Sequence, residues 1–219
     1  KLGTLAGVRS KADFGGYCFR HFQDLNISEE MCAEFEGKNS CVRFRECQTA
    51  CAGCTVGCQN RFHIKSGPYA GLVMEGTQFN STMDFGSKLD IPDFSFCVKA
   101  TALCNDLGMD IDVAAEVVGW AMECFEKGIL TSADLDGLEP RFGDQAVTLE
   151  LIRKMAYQII AYFDIPFFRP YYEKIISRCF LIQSNNRRLK SFSGRGIDSG
   201  HFALQKNLLL RVKFILDFC

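Results

Sequence analysis

"KATALCNDLGMDIDVAAEVVGWAMECFEKGIL", residues 99–130, reads as two helices meeting at a corner. The first run begins near Asp93, a residue suited to capping a helix N-terminus, and stops at Gly108. Met109 then packs inward and Asp110 caps the next helix. In that second helix Val113, Val117, Ala121 and Phe125 form one apolar stripe, with Ala114, Val118 and Met122 beside it. These are i, i+4 steps, the signature of an amphipathic helix, and Gly128 is its natural stop. Taken alone, "NDLGMD" is an ordinary helix–turn–helix corner.

The pattern continues on both sides. "DQAVTLELIRKMAYQII" places Val147, Leu151, Ile152, Met155 and Ile159 inward behind Asp144 as cap, after a polar loop "TSADLDGLEPRFG". Upstream, "LNISEEMCAEFEG" predicts a short helix capped by Asn26 or Ser28 and stopped by Gly37. Residues 41–92 hold the cysteine cluster and a Gly-rich passage and read as loops, with one short strand around 70–74. The fold class is therefore mainly α with a loop-rich segment. Trp120 and the helical cysteines Cys97, Cys104 and Cys124 are expected in the core, and Lys99 and Lys154 on solvated faces.

Composition narrows the class. The 219 residues are 47% apolar, enough for a buried core, and the apolar runs are too short to span a bilayer. No basic region followed by an apolar stretch marks a signal peptide, and the opening "KLGTLAGVRS" reads as the interior of a longer protein. Net charge is −1, but ten Lys/Arg stand against four Asp/Glu after residue 157, leaving the body before it acidic. Those basic residues alternate with Phe, Tyr, Ile and Leu, which suits a solvated helix face better than a nucleic-acid or membrane tail. Twelve cysteines in a chain of this length and helical pattern favour a reduced, cytoplasmic setting and a metal over a disulfide scaffold.

The metal candidates are Cys51, Cys54 and Cys58, in "CAGCTVGC", a C-x2-C-x3-C spacing. Zinc knuckles pair their ligands, and the nearby Cys41 and Cys47 have the wrong spacing for a second pair. An iron–sulfur cubane suits three thiolates on one tight loop better. Ala52, Gly53 and Gly57 would let the backbone close over the sulfides and aim N–H groups at them. Zinc, and plain unliganded thiols, stay open as alternatives. His63 follows the loop and is the one non-cysteine ligand worth testing; His21 reads as surface or packing.

With this cluster loop, "EGTQFNSTMDFGSKLDI" after it and the helical stretch ending "LEPRFGD", the chain resembles the aldehyde ferredoxin oxidoreductase family. The likeness covers 47–157 and extends over 1–46, where "RHFQD" is similar to a family segment. It implies a helical domain of that type: residues 1–46 its N-terminal part, 47–157 the cluster- and pterin-binding domain, and 158–219 an unmatched tail, truncated or frame-shifted. It implies a [4Fe-4S] cluster on Cys51, Cys54 and Cys58, with the fourth thiolate from a later D-x-L-G-x-C motif that 158–219 do not contain; Cys179 and Cys219 lie in no suitable loop. It makes "NDLGMD" a pterin corner, with Asn105, Leu107, Gly108 and Asp110 as cofactor residues. The implied activity is oxidation of an aldehyde or related carbonyl at a tungsten (or molybdenum) bis-pterin, with electrons passing through the cluster to ferredoxin or a similar carrier. A homo-oligomer is compatible with it.

The chain departs from the family where aldehyde-oxidising members carry acids beside the metal. Gln78, Phe79 and Asn80 stand there, and amides do not serve as general bases. Glu75 is the remaining catalytic candidate, with Asp84 the other local carboxylate, and Glu75 reads equally well as a solvated loop acid. A relative acting on another substrate, as benzoyl-CoA reductase members do, fits this departure. Rival readings are a non-catalytic iron–sulfur or zinc-binding helical module and a non-functional remnant.

Overall fold

Helix α5 (Phe94–Asp106) is apolar almost all round and sits at the centre. Phe94, Phe96, Cys97, Val98, Ala100 and Cys104 are all fully buried, the pattern of a helix surrounded by other elements. Asp93 caps it, its Oδ1 accepting from the backbone N–H groups of Ser95 (2.8 Å) and Phe96 (3.2 Å). Phe94 stacks on Phe44 with centroids 5.6 Å apart and meets Phe62 edge-on at 5.2 Å. The computed structural model describes residues 2–162, with side chains through Tyr157. Of the tail assigned to 158–219, everything beyond Tyr162, including Cys179 and Cys219, lies outside the described residues, as does the side chain of Ile159.

Around this core run α1 (Val8–Asp13), α2 (Glu29–Phe35), α3 (Gly37–Phe44), α4 (Phe79–Asp84), α6 (Ile111–Glu126) and α7 (Gln145–Tyr162). The fold is mainly helical, as expected. Ser28 is the α2 cap, its Oγ accepting from Met31 N at 3.1 Å. Asp110 caps α6 (Val113 N to Oδ1, 2.9 Å) and Asp144 caps α7 (Val147 N to Oδ1, 2.9 Å).

Three expectations fail. α2 ends at Phe35 with Glu36 as its C-cap, just before Gly37, but Gly37 opens α3 rather than a loop, and a Cβ there would meet the Leu5 and Leu2 side chains at 3.0 and 3.1 Å. Residues 41–92 are not loops with one strand. They contain the second half of α3, a three-stranded antiparallel sheet and α4. The strands are β1 (Arg45–Thr49), β2 (Gln59–His63) and β3 (Val73–Glu75). The sheet is small and polar, and period-2 burial is confined to β2, where Asn60 and Phe62 point inward, and the three-residue β3, where Met74 does.

The third correction concerns α6. Its inward face is the Ala114, Val118, Met122 line, while Val113 and Val117 are 48% and 39% exposed. Two adjacent apolar stripes were legible, and close approach chose between them. Gly119 lies on the inward side, where a Cβ would stand 3.2 Å from the His21 ring and 3.3 Å from Leu89. Only a face of small residues admits those neighbours. Trp120 is half-buried in a satellite cluster with Cys124 and Leu130.

Candidate functional site

The cysteine loop joins β1 to β2. Antiparallel pairing of Thr49 with Gln59, Gln48 with Asn60 and Cys47 with Arg61 closes its base. The Gln48 side chain donates to the Gly57 carbonyl across it. Within the loop, Cys54 N donates to Cys51 O at 3.0 Å, forming a turn that Gly53 completes at φ +73, a conformation L side chains rarely adopt. Cys51 and Cys54 are exposed and Cys58 is half-buried. The backbone N–H groups of Gly57 and Val56 point at the Cys54 sulfur and hold its thiol below the ordinary thiol range.

The buried cysteines behave oppositely. Burial pushes the thiols of Cys18 and Cys104 up to about 12 and that of Cys97 well above its usual value. They are packing groups. An open recess of about 760 Å³ adjoins Cys58, between the loop residues Thr55–Cys58 and the N-terminal turn Leu2–Ala6. Gly3 makes that approach possible, since a Cβ there would lie 2.1 Å from the Cys58 carbonyl oxygen.

Among the described residues, no three His, Cys, Asp or Glu side chains converge to hold a single ion. Cys51, Cys54 and Cys58 share one loop, two exposed and one half-buried, with backbone N–H groups turned toward the Cys54 sulfur, a donor set chemically suited to iron. His63, the other ligand candidate, pairs its Nδ1 with Glu46 at 2.9 Å. Glu75 ends β3 opposite Arg61 and is exposed. It thus shares the sheet with the cysteine hairpin, in the setting of a solvated acid. Gln78 caps α4 in a reciprocal pair with Ser81, Phe79 packs edge-on to Tyr17 at 5.1 Å, and Asn80 is exposed.

The corner is well formed. Gly108 adopts φ +67, Gly108 N donates to Asn105 O (3.1 Å) and Met109 N to Cys104 O (2.9 Å), closing the end of α5. Asn105, Gly108 and Asp110 are exposed, while Leu107 and Met109 pack against the core. One Asp110 oxygen is engaged as the α6 cap, and the rest of this polar edge faces outward.

Sequence reasoning missed a buried ionic joint. Lys88, 4% exposed, donates to Asp84 Oδ1 at 2.6 Å and to Glu116 Oε2 at 2.9 Å. His21 sits between Glu116 (3.1 Å) and Glu123 (2.5 Å), and Lys127 pairs with Glu123. Burial works against the His21 charge, but the two glutamates outweigh it and raise the imidazole to about 9. Glu116 is likewise penalised by burial, yet His21 and Lys88 bring it down to about 2. The joint pins an unusual turn: Arg20, His21 and Phe22 all have positive φ (42, 47 and 65). Their backbone is held by Arg20 N to Ser87 O and His21 N to Lys88 O. The available signals were the i, i+4 pair Asp84/Lys88 and the two-turn spacing of Glu116 and Glu123. Neither says that these groups are buried together.

The family model described as "Aldehyde ferredoxin oxidoreductase, domains 2 & 3" matches residues 1–159. The tungsten-containing aldehyde ferredoxin oxidoreductase of Thermococcus kodakarensis is 30% identical over 159 residues, covering 72% of this chain and 25% of that protein. The aliphatic sulfonate oxidoreductase WOR-like subunit of Pyrococcus furiosus is 30% identical over 100 residues, covering 46% and 16%. The chain thus spans about a quarter of the length of its tungsten relatives. In fold it is similar to the active-site complex BamBC of benzoyl coenzyme A reductase, solved with 1,5-dienoyl-CoA: TM-score 0.53, 16% identity, 70% of this chain and 22% of that one. With the family model matching most of its length, the chain belongs to the aldehyde ferredoxin oxidoreductase family.

Proposed function

We propose that residues 1–157 are the cluster- and pterin-binding part of a cytoplasmic tungsten (or molybdenum) bis-pterin oxidoreductase that oxidises an aldehyde or related carbonyl compound. When bound, the bis-pterin metal and a [4Fe-4S] cluster supply two-electron oxidation and single-electron transfer to a ferredoxin-type carrier. The observation that carries this reading is the outward trio Cys51, Cys54 and Cys58, with backbone N–H groups aimed at the Cys54 sulfur.

The chain's own part is holding and tuning. Cys51, Cys54 and Cys58 hold iron as thiolates, and the N–H groups of Val56 and Gly57 stabilise charge on sulfur. Asn105 offers an amide oxygen and Asp110 its free carboxylate oxygen to the N–H donors of a pterin, and Gly108 lets the backbone approach. Glu75 is the candidate proton acceptor. The amides Gln78 and Asn80 bind rather than accept protons, so the carbonyl need not be that of an aldehyde. Among the described residues no helix is long and apolar enough to cross a membrane.

The test is anaerobic reconstitution of the full chain with ferrous iron and sulfide. Iron and acid-labile sulfide in matched amounts, with broad visible charge-transfer absorbance, are expected. Cys51→Ser, Cys54→Ser and Cys58→Ser lose most of both, and the buried Cys124→Ala keeps them. Stoichiometric zinc with no sulfide, or an undiminished cluster in the triple variant, overturns the assignment.

A further inference from the structure

The ladder between β1 and β2 ends at the Thr49–Gln59 pair, and Cys51 and Cys54 lie beyond it. They stand at the two ends of one four-residue turn. Cys54 N donates to Cys51 O at 3.0 Å, and Gly53, third in the turn, has φ +73. That hydrogen bond and that glycine match a type II turn, whose end Cα atoms lie less than ~7 Å apart. A disulfide spans Cα separations of about 4.4–6.8 Å. The turn backbone therefore holds the two cysteines within bridging range. Both are exposed, so no packing fixes the rotamer of either thiol.

The other two cysteines of this segment are placed differently. Cys47 lies within β1 opposite Arg61. Cys58 directly precedes β2, is half-buried, and has its carbonyl oxygen against Gly3. Neither shares a turn with a second cysteine.

We infer that Cys51 and Cys54 are a reversible redox couple: with no metal bound they close to a disulfide, and that bond removes two of the three thiolates offered to iron. The oxidant is a low-molecular-weight disulfide. One cysteine thiolate attacks a sulfur of the small disulfide, forming a mixed disulfide and releasing one small thiol. The second cysteine thiolate attacks the protein sulfur of that mixed disulfide, forming the Cys51–Cys54 bond and releasing the other small thiol. Two protein thiols lose two electrons and two protons, and the small disulfide gains both. The bridge is exposed, the kind that reducing thiols reopen. The couple stands on the turn alone; its control of iron uptake rests on the cluster reading proposed above.

The test uses the full chain, reduced, stripped of metal and then held anaerobically with oxidised glutathione. Free thiols are blocked with N-ethylmaleimide, and trypsin then releases residues 46–61 as one peptide with four cysteines. Label on Cys47 and Cys58 alone, with Cys51 and Cys54 joined and two hydrogens lighter, is expected. Dithiothreitol before blocking returns label to all four, and Cys51→Ser carries glutathione on Cys54 in place of the bridge. Four labelled cysteines after oxidation, or a bridge that takes in Cys47 or Cys58, overturns the couple. Uptake of ferrous iron alone, read by co-elution of iron with the chain, is expected to be several-fold lower in the oxidised chain and restored by dithiothreitol; sulfide is left out because it would reduce the bridge. Equal uptake by both forms overturns the control of iron. No uptake by the reduced chain overturns the cluster reading and leaves the couple, which the peptide alone decides.

Discussion

The cysteine loop and the ionic joint are both concentrations of reactive side chains, and they are built in opposite ways. In the joint every charged group has its partner inside the fold, and burial sharpens each interaction. In the loop the thiols point outward, and what is organised is the backbone: a turn at Gly53 and N–H groups at a sulfur. The joint stabilises the chain; the loop presents donors. A residue's chemistry alone does not separate these uses. His21 and His63 are the same side chain, one raised to about 9 by two half-buried glutamates and the other half-exposed beside Glu46.

That contrast predicts a double dissociation. Lys88→Met strips the shared cation from Asp84 and Glu116, and about 3–5 kcal/mol of stability is expected to go with it. Chemical denaturation reads the loss, while iron uptake by the folded fraction stays unchanged. A cost near zero would mean that Asp84 and Glu116 are not held as buried partners of this lysine.

The next effect is alkaline. His21 has its pKa raised from 6.5 to about 9 on folding, so its contribution is complete below the lower value and is lost as pH rises through the upper. The expected loss is on the order of 2–3 kcal/mol. His21→Gln removes this part of the pH dependence. An unchanged profile would place the imidazole outside the joint.

Gly86→Ala probes the packing beside the joint. A Cβ there would meet Thr82 O at 2.2 Å and the Phe35 ring at 2.4 Å, and overpacking of this kind costs about 1–3 kcal/mol. Differential scanning calorimetry should register a lower Tm. Least of all, Cys54→Ser should leave Tm where it is, since the thiol is exposed and outside the core. A large drop would show that the loop, like the joint, helps hold the fold.

The helices were readable because their signals are local. Asp93, Asp110 and Asp144 cap the helices they precede in sequence. The corner at Gly108 was equally legible, since a glycine at positive φ closes a helix whatever surrounds it. The sheet was not. β1 carries Arg45, Glu46, Cys47 and Gln48, a mostly polar strand held by its partner's hydrogen bonds rather than by any apolar face. Gly37 read as a stop, and it also opens α3, packed close against Leu2 and Leu5 from far up the chain.

The same division holds for chemistry. The sequence by itself determined that three thiols share one glycine-containing loop and that a capped corner follows, because spacing along a chain is fixed by covalent geometry. Only the tertiary structure decided that the helical thiols are buried and inert, that α6 turns Val118 rather than Val117 inward, and that Asp84, Lys88, Glu116, His21 and Glu123 form one joint. Those outcomes depend on desolvation and on partners 28 to 102 residues apart, and burial is a property of the assembled core rather than of any segment.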